Sequence, residues 1–271
     1  MPYLRVEGAE LFHTSTGTGP PLVLVHGWTC DSVDWTWLIP LLHQHFRVIA
    51  YDRRGDGRST AETGPHLQRH CADLAAVIEQ VAGGPSVVVG HSVGAAIVSM
   101  LAVQRPDLVR GLVALDAPHA ADPAARPAHE QFRAALDTDA NHAALQEYFN
   151  QFGFTEHTPD WLRTLVLRRV EASSPAAILD GFLALWNDEL EIAYRPAAHD
   201  YLASRSCPVL VLHRDPASAA YEEATFRHPT SRSVVLAGVG HWPQIERPAE
   251  VSSEIISWWR AAVGPVASAA G

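Results

Sequence analysis

Apolar positions along this chain fall into two alternating rhythms. Pro21-Leu22-Val23-Leu24-Val25, Phe46 to Tyr51, Val87-Val88-Val89, Gly111 to Asp116, Pro208 to His213 and Ser233 to Leu236 are short, nearly unbroken apolar runs rich in branched residues. Such runs predict strands buried on both faces of a sheet. Between them apolar residues recur at helical spacing: Trp37 to His43; His66 to Val81 through Leu67, Leu74, Val77, Ile78 and Val81; the stretch from Ser92 to about Val103; and Ala249 to Val263 through Val251, Ile255, Ile256, Trp258 and Trp259. Tyr3 to Val6 and Leu11 to Thr14 predict short edge strands, and Gly17-Thr18-Gly19-Pro20 a turn. Strands alternating with helices imply an α/β fold around a mostly parallel sheet with right-handed crossovers, whose ligands bind beyond the strands' carboxyl ends.

The alternation stops between Pro118 and Ser204, where the pattern turns helical and is interrupted by prolines at 123, 127, 159, 175 and 196. This predicts a helical cap, residues 118–204, inserted into one core domain made of residues 1–117 and 205–271. Phe132, Tyr148, Phe149, Phe152, Phe154, Trp161, Phe182 and Trp186 give that cap enough aromatic surface to roof an apolar pocket. The stretch from Gly264 to Gly271, rich in alanine and glycine, reads as a frayed tail.

Chemistry concentrates where the central strand meets its helix, at Gly90-His91-Ser92-Val93-Gly94. A serine at a strand-to-helix turn sits in a strained backbone conformation, and the flanking glycines let so sharp a turn close, presenting the hydroxyl at the sheet's carboxyl edge. A serine hydroxyl is a poor nucleophile until a base takes its proton, and histidine suits that exchange near neutrality. His241 follows the last predicted strand in Gly238-Val239-Gly240-His241-Trp242-Pro243, a loop able to fold back over the sheet edge. The charged loop Asp52-Arg53-Arg54-Gly55-Asp56-Gly57-Arg58-Ser59 reads mainly as a turn whose arginines and aspartates satisfy one another and the backbone.

Composition narrows the partners. The 271 residues include 47% apolar and 18% charged, suited to a large buried core. All 20 basic residues are arginine, which excludes lysine Schiff bases, pyridoxal phosphate attachment and a P-loop lysine. A formal charge of −10 opposes nucleic acid or an anionic membrane as partner. Cys30, Cys71 and Cys207 are odd in number and scattered, which predicts neither a disulfide framework nor a metal-binding pair and suits a cytoplasmic protein. The first residues lack a signal pattern, and no apolar run reaches membrane-span length. The 15 histidines show no metal-ligand spacing, so neither metal nor cofactor is expected; His66 and His70 read as a solvated helix face. Oligomeric state is open, a homodimer included.

Taken together, His26-Gly27-Trp28, Arg54-Gly55-Asp56-Gly57-Arg58-Ser59, Gly90-His91-Ser92-Val93-Gly94 and Gly240-His241 with Glu246-Arg247-Pro248 resemble the α/β-hydrolase fold family in order and spacing, across nearly the whole chain outside the cap. The resemblance implies a Ser92, acid, His241 triad in that chain order. The acid departs from the usual pattern: beyond the penultimate strand the chain has a shortened His213-Arg214-Asp215-Pro216-Ala217. Asp116, at the end of the strand after the nucleophile helix, is favoured, with Asp215 as the second choice. The backbone N–H groups of Trp28 and Val93 are the expected oxyanion hole, and His91, Trp186 and Trp242 the expected substrate-binding residues, with Trp28 and His119 as further wall candidates.

The expected function is therefore a cofactor-independent serine hydrolase that cleaves an ester or lactone of an apolar small molecule through an acyl-enzyme. The alternative is a cofactor-free dioxygenase of a 3-hydroxy-4-quinolone-like heterocycle using His241 as base, which the His-Gly-Trp turn, the shortened Asp215-Pro216 loop and Asp116 resemble. Those dioxygenases carry histidines where this chain has Cys30 and Val93. Haloperoxidase-like enzymes share the Tyr51-to-Gly55 turn, their peroxide chemistry being a side activity of the same triad. Epoxide hydrolases and haloalkane dehalogenases need a carboxylate where Ser92 stands, and a non-catalytic receptor would not need the triad residues.

Overall fold

The computed structural model describes residues 2–61, 66–186 and 191–264, so the expected frayed tail lies, beyond Gly264, outside the described residues. Eight strands form one sheet in the order β1-β2-β4-β3-β5-β6-β7-β8. They are β1 (Tyr3–Val6), β2 (Ala9–Thr16), β3 (Pro21–Val25), β4 (Arg47–Tyr51), β5 (Ser86–His91), β6 (Val109–Leu115), β7 (Val209–His213) and β8 (Arg232–Val235). β2 pairs antiparallel with both β1 and β4, and the other neighbours pair parallel. Because side chains alternate across a strand, each apolar run feeds two layers. Val23, Val25 and Val88 pack on one face beneath Leu74, Ile97 and Met100. Leu22, Leu24, Val87 and Val89 pack on the other beneath Trp35, Ile255 and Trp258. This is why these strands read as continuous apolar runs rather than as alternating ones.

The crossovers are α1 (Ile39–Leu42), α2 (Leu67–Ala76), α3 (Val93–Gln104), and, between β6 and β7, α4 (Arg126–Leu136), α5 (Asn141–Phe152), α6 (Asp160–Ala172), α7 (Pro175–Trp186) and α8 (Ala197–Leu202). Then come α9 (Pro216–Glu223), α10 (Pro243–Glu246) and α11 (Pro248–Ala262). Leu145, Phe149, Leu162, Val166 and Phe182 of the inserted helices form a third apolar cluster, into which Trp242 and Ile245 reach from beyond β8. Among the described residues no helix is long and apolar enough to cross a membrane.

Four local expectations are corrected. The helix expected over 37–43 contracts to α1 because a 3-10 turn, Ser32–Trp35, precedes it, capped by Asp31 on the Val33 N–H at 2.8 Å. His70 is buried rather than solvated; His66 caps α2 in an extended conformation and shares no helix face with it. Phe152 and Trp161 are half exposed and do not line the cavity over Ser92. Asp215 does not open a loop but caps α9, a helix not anticipated between β7 and β8.

His119, offered as pocket wall, belongs instead to a buried ion network that ties the exit from β6 and the return from α8 to α9. Its Nδ1 lies 2.6 Å from Glu222 Oε1, while Arg205 lies 3.1 Å from Oε2 and also donates to Ser99 Oγ and Thr225 Oγ1. All three charged or titratable groups are buried. Burial pushes the Glu222 carboxyl up, but the charges and hydrogen bonds of His119 and Arg205 outweigh it and bring it down to about 2, from an ordinary 4.5. A carboxyl depressed on folding stabilises the fold fully above its unfolded value, and that contribution is lost as pH falls from about 4.5 towards 2. Glu222→Gln leaves Arg205 buried without a counter-charge and should cost about 3–5 kcal/mol, read as a lower urea midpoint at pH 7. The deficit relative to the parent should shrink as the pH is lowered through that window.

Candidate active site

The turn at Ser92 is built by the register of the sheet and by absent side chains. Gly90 pairs with Val25 of β3 on one side and Ala114 of β6 on the other, so β5 ends between strands whose own ends carry the remaining parts. Ser92 has φ 54° and ψ −124°, a left-handed conformation outside the helical basin, immediately before α3. A Cβ at position 90 would lie 2.3 Å from the Gly94 carbonyl oxygen, and one at position 94 would lie 2.2 Å from the Val25 carbonyl oxygen. Both glycines of the pentapeptide are thus required by close backbone approach.

His241 sits above that turn. Its Nε2 lies 2.9 Å from Ser92 Oγ and its Nδ1 lies 2.5 Å from Asp116 Oδ2. This fixes one tautomer: Nδ1–H donates to the carboxylate, and the Nε2 lone pair faces the hydroxyl. The loop carrying it is held from two sides, since the His241 N–H donates to the Gly153 carbonyl at 2.7 Å and the Gly240 N–H to the Glu246 carboxylate at 3.0 Å. Gly153 closes α5, so the inserted helices help set the position of the imidazole.

Asp116 follows Leu115, one residue beyond the end of β6, and Leu115 pairs with His91, so both side chains leave adjacent strands at one level. It too is left-handed, with φ 45°. Arg214 donates its backbone N–H to Oδ1 at 3.3 Å and places Nε 3.1 Å from Oδ2; His213 Nδ1, which accepts the Asp215 N–H, lies 3.3 Å from Oδ1. Burial pushes the Asp116 carboxyl up, but the His241 hydrogen bond and the charges around it, Arg214 among them, hold it below the usual carboxylate range. Asp215 has no contact with His241; its Oδ2 accepts the N–H and hydroxyl of Ser218 at 2.8 and 2.6 Å. The contribution of Arg214 carries no motif and follows only from the fold placing β7 beside β6.

Trp28 and Val93, the expected oxyanion donors, flank Ser92. Among the described residues neither backbone N–H has an acceptor. The turn bearing Trp28 is braced from below: His26 Nε2 accepts the Arg53 N–H at 2.9 Å, and Arg53 Nη2 donates to the Gly27 carbonyl at 3.1 Å. From above, Trp28 Nε1 donates to the Ile178 carbonyl of α7 at 3.1 Å. Arg53 also pairs with Asp56, and Asp52 with Arg58, as expected of the charged loop, whereas Arg54 reaches out of it to Asp73 of α2 at 2.6 Å.

Over Ser92 lies a cavity of about 70 Å³ whose walls include Trp28, His91, Tyr148, Phe149, Trp186 and Trp242. The three residues expected to bind substrate, His91, Trp186 and Trp242, all stand there. His91 is buried and neutral, with burial first and the neighbouring His241 second taking it down to about 3. Its Nε2–H donates to the His241 carbonyl at 2.6 Å, which links the nucleophile strand to the base loop.

Comparison with known proteins agrees with this architecture. Residues 20–248 match the family model for the alpha/beta hydrolase fold. A (E)-2-((N-methylformamido)methylene)succinate hydrolase from Acinetobacter baylyi is 28% identical over 249 residues, 89% of this chain and 91% of that protein. A non-heme haloperoxidase from Rhodococcus erythropolis is 40% identical over 97 residues, and this stretch is only 35% of that protein's length. A thermophilic esterase from Thermogutta terrifontis superposes with a TM-score of 0.80 at 27% identity, covering 94% of both chains. The enol-lactonase from Burkholderia xenovorans LB400 superposes with a TM-score of 0.82 over 95% of this chain and 99% of its own, but at 19% identity that likeness concerns the fold alone. The family match over most of the chain, on a sheet of this order, establishes that the protein belongs to the α/β-hydrolase fold family.

Proposed function

We propose that the protein is a cofactor-independent serine hydrolase that cleaves an ester or lactone of a compact, largely apolar small molecule through Ser92, His241 and Asp116. The observation that carries this reading is the unbroken chain of hydrogen bonds from Asp116 Oδ2 through His241 to Ser92 Oγ, opening into an aromatic-walled cavity. As Ser92 Oγ attacks the carbonyl carbon, His241 Nε2 takes its proton and becomes imidazolium, which the Asp116 carboxylate stabilises. The carbonyl oxygen gathers negative charge and accepts the Trp28 and Val93 N–H groups. His241 then gives its proton to the departing alkoxide, leaving an acyl-Ser92 ester and an alcohol, or one tethered product from a lactone. Water, deprotonated by the same imidazole, releases the acid and restores the serine.

The names of an esterase and of a hydrolase among the relatives support the reaction class. The small volume over Ser92 favours a short acyl group, and the aromatic walls favour an apolar one. The reading predicts that a fluorophosphonate reacts with Ser92 alone among the chain's serines, located by the mass of the labelled peptide. Folded protein that leaves Ser92 unlabelled would speak against a nucleophilic serine.

A further inference from the structure

At the edge of the catalytic cavity lies a cluster whose unpaired polar atoms the hydrolytic mechanism does not use. The thiol of Cys30, a carboxylate oxygen of Asp34 and an imidazole nitrogen of His91 lie within 4.8 Å of one another, and all three residues are buried. They come from three separate places: the turn after β3, the 3-10 turn at Ser32–Trp35, and the end of β5. Buried polar atoms are ordinarily paired, and leaving one unpaired costs about 1–3 kcal/mol. Here two acceptors have no partner in the structure, Asp34 Oδ2 and His91 Nδ1. Each is available for a reason. The other Asp34 oxygen is bonded to Arg169, and His91 Nε2 carries the proton it donates to the His241 carbonyl, which leaves the lone pair on Nδ1.

We propose that Cys30, Asp34 and His91 form a binding site for a single soft divalent cation of the zinc type, entered from the catalytic cavity. A thiolate, an imidazole and a carboxylate are the donor set that such ions prefer, and bonds of roughly 2.0–2.3 Å require the three side chains to close in by about 1 Å. The hydrogen bond from the far nitrogen of His91 to a backbone carbonyl is the arrangement that fixes the tautomer of a metal-ligating histidine. Cys30 and His91 both line the cavity over Ser92, which gives the ion a route in and leaves a coordination position towards that cavity. Coordination breaks the Cys30 S–H bond, releases its proton to solvent and forms the sulfur–metal bond, with no change of oxidation state. Arg169, beside Asp34, offsets one negative charge of the site. Sequence spacing gives no hint of this site, because its ligands are four and then fifty-seven positions apart along the chain.

The ion would occupy one wall of the catalytic cavity and block hydrolysis reversibly, a consequence that rests on the hydrolase reading, whereas binding itself does not. The full chain is therefore titrated first with Cd²⁺, followed by the ultraviolet thiolate-to-cadmium charge-transfer band, with Zn²⁺ as competitor. The band should saturate at one equivalent, vanish in Cys30→Ser, and require at least about tenfold more Cd²⁺ in Asp34→Asn. Absence of the band, or a band that survives Cys30→Ser through Cys71 or Cys207, would overturn the site. Should Cys30→Ser not fold, the wild-type chain decides: Cd²⁺ must protect Cys30 from N-ethylmaleimide more than Cys71 and Cys207, and equal labelling with and without the ion overturns it. With an ester substrate, Zn²⁺ should inhibit and EDTA should restore activity; cadmium binding without inhibition would count against the cavity location, whereas a chain inert towards esters would leave the binding result intact.

Discussion

Ser92→Ala should abolish hydrolysis of a short-chain ester such as 4-nitrophenyl acetate, lowering kcat by a factor on the order of 10⁶ while the fold is retained. The size of the effect follows from what the hydroxyl does. Among the described residues no other side chain hydrogen-bonds His241 Nε2, so the variant has no group to accept the acyl chain, and only binding and the Trp28 and Val93 N–H donors remain to assist water. The substitution removes one oxygen from a nearly buried position, which is a small perturbation of packing. Circular dichroism and an unchanged melting temperature would show that the loss is chemical. The competing assignment, a cofactor-free dioxygenase in which His241 deprotonates a hydroxyquinolone for direct reaction with dioxygen, gives the opposite expectation. There the serine only positions the substrate, so oxygen uptake with a 3-hydroxy-4-quinolone would survive in Ser92→Ala. An inert wild type towards esters together with such uptake would transfer the chemistry from Ser92 to His241.

Particular residues show how far the sequence carries and where it stops. The strands are legible because β3, β5, β6 and β7 are covered on both faces, which forces unbroken apolar runs that turn residues then punctuate. The pentapeptide around Ser92 is legible because its glycines answer to contacts with backbone, which no side chain can evade. Asp215-Pro216 shows a signal present but assigned to the wrong feature. An aspartate followed by proline is what opens a helix, the carboxylate capping and the proline filling the first helical position, yet the family pattern drew attention to that carboxylate as an acid. The environment of Asp116 lay beyond reach, since Arg214 and His213 approach it only through the pairing of β6 with β7. The same holds for His119 and Glu222, 103 positions apart, and for the cluster at Cys30, Asp34 and His91. Local pattern reports burial and turns, whereas partners distant in the chain appear only when the sheet brings their strands together.

The second large effect is expected at the acid. Asp116→Asn should lower kcat for the same ester by roughly 10⁴, because an amide at that position cannot stabilise the imidazolium. It can also turn its NH₂ group towards Nδ1, which then becomes the acceptor and leaves the proton on Nε2 facing Ser92. Arg214 does not decide between the two amide orientations, since its Nε lies 3.1 Å from the oxygen that also meets His241 while its backbone N–H donates to the other. Asp215→Asn is the matched control. Asparagine caps a helix about as well as aspartate, and position 215 has no contact with His241, so both stability and kcat should stay close to wild type. The pair of variants separates two assignments made on one criterion, a carboxylate beyond a strand end near the base. Near-normal turnover in Asp116→Asn, with loss in Asp215→Asn, would reverse them, and would require the loop after β7 to swing the α9 cap onto His241 during catalysis.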